Sequence, residues 1–431
     1  MDNPTQDKKV LIGNHIQTIR QKHKIKRSEY LPNGTIPVVD QSQDFIAGYI
    51  NDTERVYDGD LPVIVFGDHT CTFKYVDFRF AIGAEGTQII RPKKDFDIRY
   101  FYYALRNLPL EQFGYQRHFK YLKTSKMPCP PIQVQHKIAV ILSSYDDLIE
   151  NNTRRIKILE DMAQTLYQEW FVHYRFPGHE NVKMVESELG AIPQGWEVKK
   201  FGGVSYNFDR LRKPLSGQVR STMQGEYPYY GAAKILDYIN GYLFDGRYLL
   251  IGEDGSVVTK DGKPVLQLVT GKFWVNNHTH VVQGKSPIST NFLYLFMSNV
   301  TITSYITGAA QPKINQENLN RIPVIFPPEN LLEQFENTIQ PNFENIIALN
   351  LKNANLCQTR DLLLPKLISG EIDVSQLDIS TDEAQPNQGG THIPYVLTDR
   401  LHSDKKILGG KPVIKGTRLG VAFILELLEQ G

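Results

Sequence analysis

The chain has 431 residues, 41% hydrophobic and 22% charged, which is enough for two to four domains with real cores and too polar throughout for a membrane helix of roughly 18 apolar residues. Its 48 basic side chains face 47 acidic ones, so any contact with nucleic acid must come from local patches rather than from overall charge. Three scattered cysteines, Cys71, Cys129 and Cys357, suggest neither a disulfide framework nor a zinc site, and the polar start MDNPTQDKKV lacks the apolar stretch of a signal peptide, so a cytoplasmic location is expected.

In chain order, the first feature is a basic run, RQKHKIKR, from Arg20 to Arg27. A solvated loop explains a single run of this kind as well as a DNA-facing patch does. Five further features follow: IPVVDQ at Ile36, FIAGYI at Phe45, LPVIVFGDHT at Leu61, YFYYALRN at Tyr100 and KYLKTSKMPCPPI at Lys120. The same order returns as YPYYGA at Tyr227, YINGYL at Tyr238, YLLIGEDGS at Tyr248, NFLYLFMSN at Asn291 and KINQENLNRIPVIFPP at Lys313. The offset stays near 185 to 197 residues, so the chain is a tandem repeat. Each copy alternates short apolar runs with Gly and Asn/Asp turns, the pattern of antiparallel strands. Each ends in Pro-Pro, which stops the strands and suits the start of a helix.

Two long helices are expected after the Pro-Pro pairs. The first, from about Val134 to Phe171, carries Ile138, Ile141, Tyr145, Leu148, Ile156, Leu159, Met162, Leu166 and Trp170 at steps of three and four. The second, from about Pro328 to Ser369, carries Leu332, Phe335, Ile339, Ile346, Leu349, Leu356 and Leu363. Asn152 and Asn353 hold matching places in the two stripes, where a buried amide fixes register at some cost in stability. Neither stripe can be left in water, so the helices are expected to pair antiparallel as a spacer roughly 50 Å long. The competing reading makes both helices ordinary core elements of a larger α/β body.

Three longer stretches then resemble the specificity (S) subunit of type I restriction–modification systems: YDDLIENNTRRIKILEDMAQTLYQEWFVHYRFPG from Tyr145, ELGAIPQGWEVKKFG from Glu188, and TRDLLLPKLISGEIDV from Thr359. The resemblance covers roughly Lys9 to Leu377, although the first repeat begins without the Gly-Trp opening present at Gly195-Trp196. It implies an α+β protein with two target-recognition domains of mixed antiparallel β and α, joined by two long antiparallel coiled-coil helices, plus a short C-terminal extension. The expected divisions are 1–132 and 195–328 for the recognition domains, 133–171 and 329–370 for the spacer helices, and 172–194 and 378–390 for linkers. Residues 391–431 resemble the first part of a small antitoxin-like domain of unknown function (DUF433), with Gly420 where proline is usual.

The resemblance further implies a non-catalytic subunit of an endonuclease and adenine-methyltransferase complex, each domain reading half of a split double-stranded DNA target. Its partners would be two methyltransferase (M) subunits and restriction (R) subunits. S-adenosylmethionine, ATP and Mg would be held by those partners and not by this chain.

For DNA contact the residue types favour Lys22, Lys24, Lys26, Arg27, Arg117, His118 and Lys120 in the first repeat, and Arg210, Arg212, Lys213, Arg220, Gln311 and Lys313 in the second. Arg and Lys fork onto guanine or neutralise phosphate, and Gln pairs with adenine. Tyr229 and Tyr230 fit stacking or core packing equally. Trp170 and Phe171 are candidates for partner docking, or else cap the helix pair internally.

Enzyme readings find little support. The proline pairs, CPPI and FPPE, are not an amino-methyltransferase motif, and no GxxxxGK[ST] phosphate loop occurs. Glu197-Val198-Lys199 has the end of a nuclease motif without its upstream Pro-Asp. His278 and His280 share a strand face without an evident third metal ligand, so no metal site is expected. Two alternatives remain: a degenerate S subunit that no longer assembles, and a stand-alone nuclease or methyltransferase with an unrecognised site.

Overall fold

The computed structural model describes residues 9–21, 23–84, 86–110, 118–255, 257–308 and 311–377, together with the short strands Leu401–His402 and Val413–Ile414. Lys22, Arg117, the 378–390 linker and the 391–431 extension apart from those strands lie outside the described residues. Two compact units are present: residues 1–152 with 352–431, and residues 153–351. Their boundaries fall within the long helices rather than at the helix ends.

In the first unit a β-branched run, Val63–Gly67, forms a strand whose five residues are all buried. It lies in a four-stranded antiparallel sheet, in the order Ile16–Ile19, Thr87–Pro92, Val63–Gly67, Phe73–Val76. A second sheet pairs Ile36–Val39 antiparallel with Gly48–Ile50 and parallel with Ala81–Ile82. The helix Ile98–Arg106 starts where the Asp97 carboxylate accepts the Tyr100 amide at 2.7 Å, and it turns Tyr100, Phe101, Ala104 and Leu105 into the core. Leu364, Leu367 and Ile368, from the end of the second long helix, complete that same core.

The second unit repeats this plan on a larger sheet, in the order Ser205–Asn207, Thr279–Gly284, Phe244–Gly252, Leu266–Val275, Gln224–Tyr230, Ile235–Ile239. The tandem repeat read from the sequence survives as topology. Gln224–Tyr230 pairs antiparallel with Ile235–Ile239 and parallel with Leu266–Val275, as Ile36–Val39 does with its two neighbours. The helix Thr290–Asn299, capped by the Ser289 hydroxyl, takes the place of Ile98–Arg106.

The long helices are Ile132–Tyr167 and Glu329–Ser369. Within the first unit, Asp146 pairs with Arg360 and Asn152 donates to Asn353 Oδ1 at 2.9 Å, so the two segments run antiparallel. Both amides of the expected register pair therefore meet each other. Leu148, expected in the buried stripe, is half exposed, whereas Leu142, Ala163 and Tyr167 are buried. The stripe is set by packing on the domains as well as on the partner helix.

Residues 172–194 are more ordered than a linker. The first long helix ends in a π turn, Gln168–Val172, and a hairpin of Met184–Ser187 and Gly190–Pro193 follows. Trp196 then packs on Phe171 and Phe176.

Candidate nucleic-acid interface

In each unit several loops meet at the end of the central strand. Beyond Gly67 in the first unit, the Asp68 amide donates to Gly86 O at 2.6 Å, and Thr70 Oγ1 donates to Gln41 O, also at 2.6 Å. Gly67 is required by this crowding, since a Cβ there would stand 2.8 Å from that of Gln41. The basic run is drawn to the same end. Ile25 is fully buried and its amide donates to Ile82 O at 2.9 Å, while Lys24 Nζ donates to Thr87 O at 2.9 Å. The run is therefore an anchored segment that leaves Arg20, His23, Lys26 and Arg27 exposed, rather than a solvated loop.

Beyond Gly252 in the second unit, several segments converge: 209–213, 253–255, 276–279, 307–308 and 311–314. Arg212 Nη1 donates to Glu253 Oε2 at 2.6 Å and to Thr279 O at 2.8 Å. Lys313 Nζ lies 3.2 Å from Glu253 Oε1, and its backbone pairs with that of Thr307. His280 Nδ1 meets Asp209 Oδ2 at 2.6 Å, and its Nε2 meets Ile314 O at 2.9 Å. Burial opposes ionisation of Asp209, but the hydrogen bond and charge of His280 and the Val281 amide outweigh it and hold the carboxyl below its ordinary pKa.

These contacts sort the expected DNA-facing residues. Lys26, Arg27 and Lys120 in the first unit, and Arg210, Lys213, Gln311 and Lys313 in the second, are exposed near the convergent loops. Four others, expected to face DNA, are instead held by partners within the protein. Lys24 is half-buried on the Thr87 carbonyl, and burial lowers its pKa. His118 is buried, with Nδ1 2.8 Å from Asp68 O. Arg212 has the ion pairs just described. Arg220 pairs with Asp237 at 3.1 Å and lies over the Tyr229 ring. Tyr229 itself is buried, with its hydroxyl accepting the Leu215 amide at 2.9 Å, which settles it as core.

Of the two docking candidates, Phe171 is turned inward and Trp170 partly so. Phe171 is buried against Phe292 and Phe335, and Trp170 lies half-buried against Phe335. Phe171 thus caps the helix pair from inside, whereas Trp170 packs on Phe335 and keeps part of its surface in solvent.

Sequence reasoning missed a recess lined by Arg20, His23 and Arg79 together with Glu54 and Asp58. Arg20 and His23 carry the signal of the basic run; Arg79 has no local signal. It also missed that Asp209 and Glu253 join His280, placing three ligand-type atoms within 4.8 Å of one another. The chain's own cations occupy this cluster: Arg212 and Lys313 sit on Glu253, and both ring nitrogens of His280 already face oxygen atoms. His278 stands apart, exposed and paired with Asp254. Among the described residues, no helix is long and apolar enough to cross a membrane.

This duplicated arrangement has a match among known proteins. The model of the type I restriction modification DNA specificity domain matches residues 14–161 and again 193–355, and the chain belongs to that family. It is a DNA-recognition specificity subunit rather than a catalytic one. Over 323 residues it is 28% identical to the type I restriction enzyme MjaIX specificity subunit of Methanocaldococcus jannaschii, covering 68% of this chain and 73% of that one. Over 332 residues it is 21% identical to the HindI specificity subunit of Haemophilus influenzae, covering 59% and 70%. The crystal structure of a type I restriction–modification S subunit from M. genitalium shares the fold with a TM-score of 0.52 at 15% identity, over 85% of this chain and 97% of that one. Residues 402–431 match the family of unknown function DUF433.

Proposed function

We propose that each recognition domain reads one half of a split double-stranded DNA target, with the loops at the end of its central strand facing the DNA. The observation that carries this reading is the duplication itself: two domains of one topology present exposed cations at the same strand end. Lys26, Arg27 and Lys120 would serve one half-site, and Arg210, Lys213, Gln311 and Lys313 the other. The long helices would dock two M subunits, with R subunits joining them. Half-exposed leucines on those helices, Leu148 and Leu362 in one unit and Leu351 in the other, support a docking role. S-adenosylmethionine, ATP and Mg would be bound by those partners.

The test is methylome sequencing of a methylation-free host that expresses this chain with M subunits. A single split motif methylated on both strands is the expected result, and exchanging one domain should change one half alone. Soluble, assembled subunits that leave the DNA unmethylated would overturn the reading, as would methylation in the absence of M.

A further inference from the structure

The same junction is built twice, from different side chains. In the first unit the residue after the central strand is Asp68, which is buried. Its carbonyl oxygen accepts the His118 amide at 3.4 Å and faces His118 Nδ1 at 2.8 Å, and its carboxylate accepts the Phe119 amide at 2.8 Å. In the second unit the equivalent residue is Glu253, also buried. Its carbonyl oxygen accepts the Ile314 amide at 2.9 Å, and its carboxylate lies 3.2 Å from Lys313 Nζ. A histidine completes this junction as well, because His280 Nε2 faces the Ile314 carbonyl oxygen at 2.9 Å.

In both units a buried acid at the strand end thus holds the segment that returns toward the next helix. Asp68 does so through its carboxylate and carbonyl on two backbone amides, Glu253 through its carbonyl on the Ile314 amide and its carboxylate on the Lys313 side chain. That segment carries Lys120 in one repeat, and Gln311 and Lys313 in the other. Glutamate's extra methylene lets the second junction hold a further element, since the opposite carboxylate oxygen takes Arg212 at 2.6 Å. Asp209, on the same short segment as Arg210 and Lys213, is tied through His280 to Ile314. Two stretches bearing expected DNA contacts, about 100 residues apart in sequence, are locked to one buried centre.

We propose that Asp68 and the Glu253–His280–Asp209 centre are positioning residues for half-site recognition, each fixing the DNA-facing segments of its own domain without touching DNA. Base readout needs donors and acceptors held to fractions of an ångström, which loop residues achieve only when packing and buried hydrogen bonds fix their backbone. A buried acid with all its partners in place is such a support, and one missing partner loosens every segment attached to it. The proposal rests on the two-domain reading above.

The experiment uses the full chain assembled with M subunits, comparing methylated motifs for the native chain, Glu253→Gln and Asp68→Asn. A native complex that methylates no split motif would fail the underlying reading, separately from this proposal. Given a native split motif, Glu253→Gln should relax the second domain's half-site, cutting discrimination against single-base mismatches there by about tenfold. The first half should remain unchanged. Asp68→Asn should do the reverse. A loss of support without half-site selectivity, in which both halves relax together or total methylation falls with both preferences intact, would overturn the proposal. If Glu253→Gln does not assemble, His280→Gln serves instead: it keeps a donor for Ile314 but breaks the Asp209 pairing, and it should relax the same half. Hydrogen exchange supplies a second readout: assembled Glu253→Gln or His280→Gln should exchange faster at Ile314 with no such change at Phe119, and assembled Asp68→Asn faster at Phe119 with no such change at Ile314.

Discussion

Asp209 is a buried carboxylate held below its ordinary pKa of 3.8. A depressed carboxylate contributes stability that is present above the unfolded value and lost as pH falls through the folded one. The second unit should therefore keep this contribution at neutral pH and weaken as pH drops below about 3.8. All three tryptophans, Trp170, Trp196 and Trp274, belong to this unit, so tryptophan fluorescence isolates its transition. Asp209→Asn should cost about 3 kcal/mol at pH 7 and flatten the acid dependence, because it removes the carboxylate charge facing His280 at 2.6 Å and Arg212 at 3.6 Å. Glu29, paired with Arg55 and held at about 2, should give only a small acid effect in the first unit because the pair is exposed to solvent. At this scale the sequence was least legible. A cation's type is visible in a sequence, but its partner is supplied by folding: Arg212 is claimed by Glu253, 41 residues away, and His118 by Asp68, 50 residues away.

The helices were legible because their signal is periodic and local. Pro-Pro, then apolar residues at steps of three and four, placed both of them, and matched asparagines marked where they meet. What periodicity could not reveal was how much of each helix the domains would cover, which is why Leu148 stays half exposed. The Asn152–Asn353 contact makes a specific demand. Asn152→Ala should destabilise the first unit by about 1–3 kcal/mol by removing the donor to Asn353 Oδ1. Replacing both by Leu should recover that loss or exceed it, at the expense of a defined register. Urea unfolding measures the first, and cross-linking of cysteines placed along the helices measures the second. In the second unit Phe335 is fully buried among Tyr167, Trp170, Phe171 and Phe292. Phe335→Ala should cost about 3–5 kcal/mol, read by the same tryptophan signal.

Across the whole molecule, a net charge of +1 hides local concentrations of cation at the two strand ends. DNA binding should therefore fall steeply with salt even though the chain is nearly neutral. Arg210→Ala with Lys213→Ala should reduce the slope of log affinity against log salt by about 2, roughly one for each phosphate no longer neutralised. A fluorescence-anisotropy titration from low to moderate salt checks this, and an unchanged slope would place those two side chains away from the DNA backbone. The duplicated plan was legible because both copies keep the order of strands, turns and helices. The hairpin at Met184–Pro193 was not, since its exposed, mixed residues read as a connecting segment.

The division of the molecule into one continuous unit and one split unit has a consequence for its biogenesis. Residues 153–351 leave the ribosome as a finished set, whereas the domain synthesised first lacks Leu364, Leu367, Ile368 and Val374 until the whole of the second unit has been made. The earlier-made domain must wait, with part of its core uncovered, while the later one closes. Chains truncated after Leu351 and released from the ribosome should accordingly show native fluorescence from the three tryptophans together with a protease-sensitive N-terminal portion.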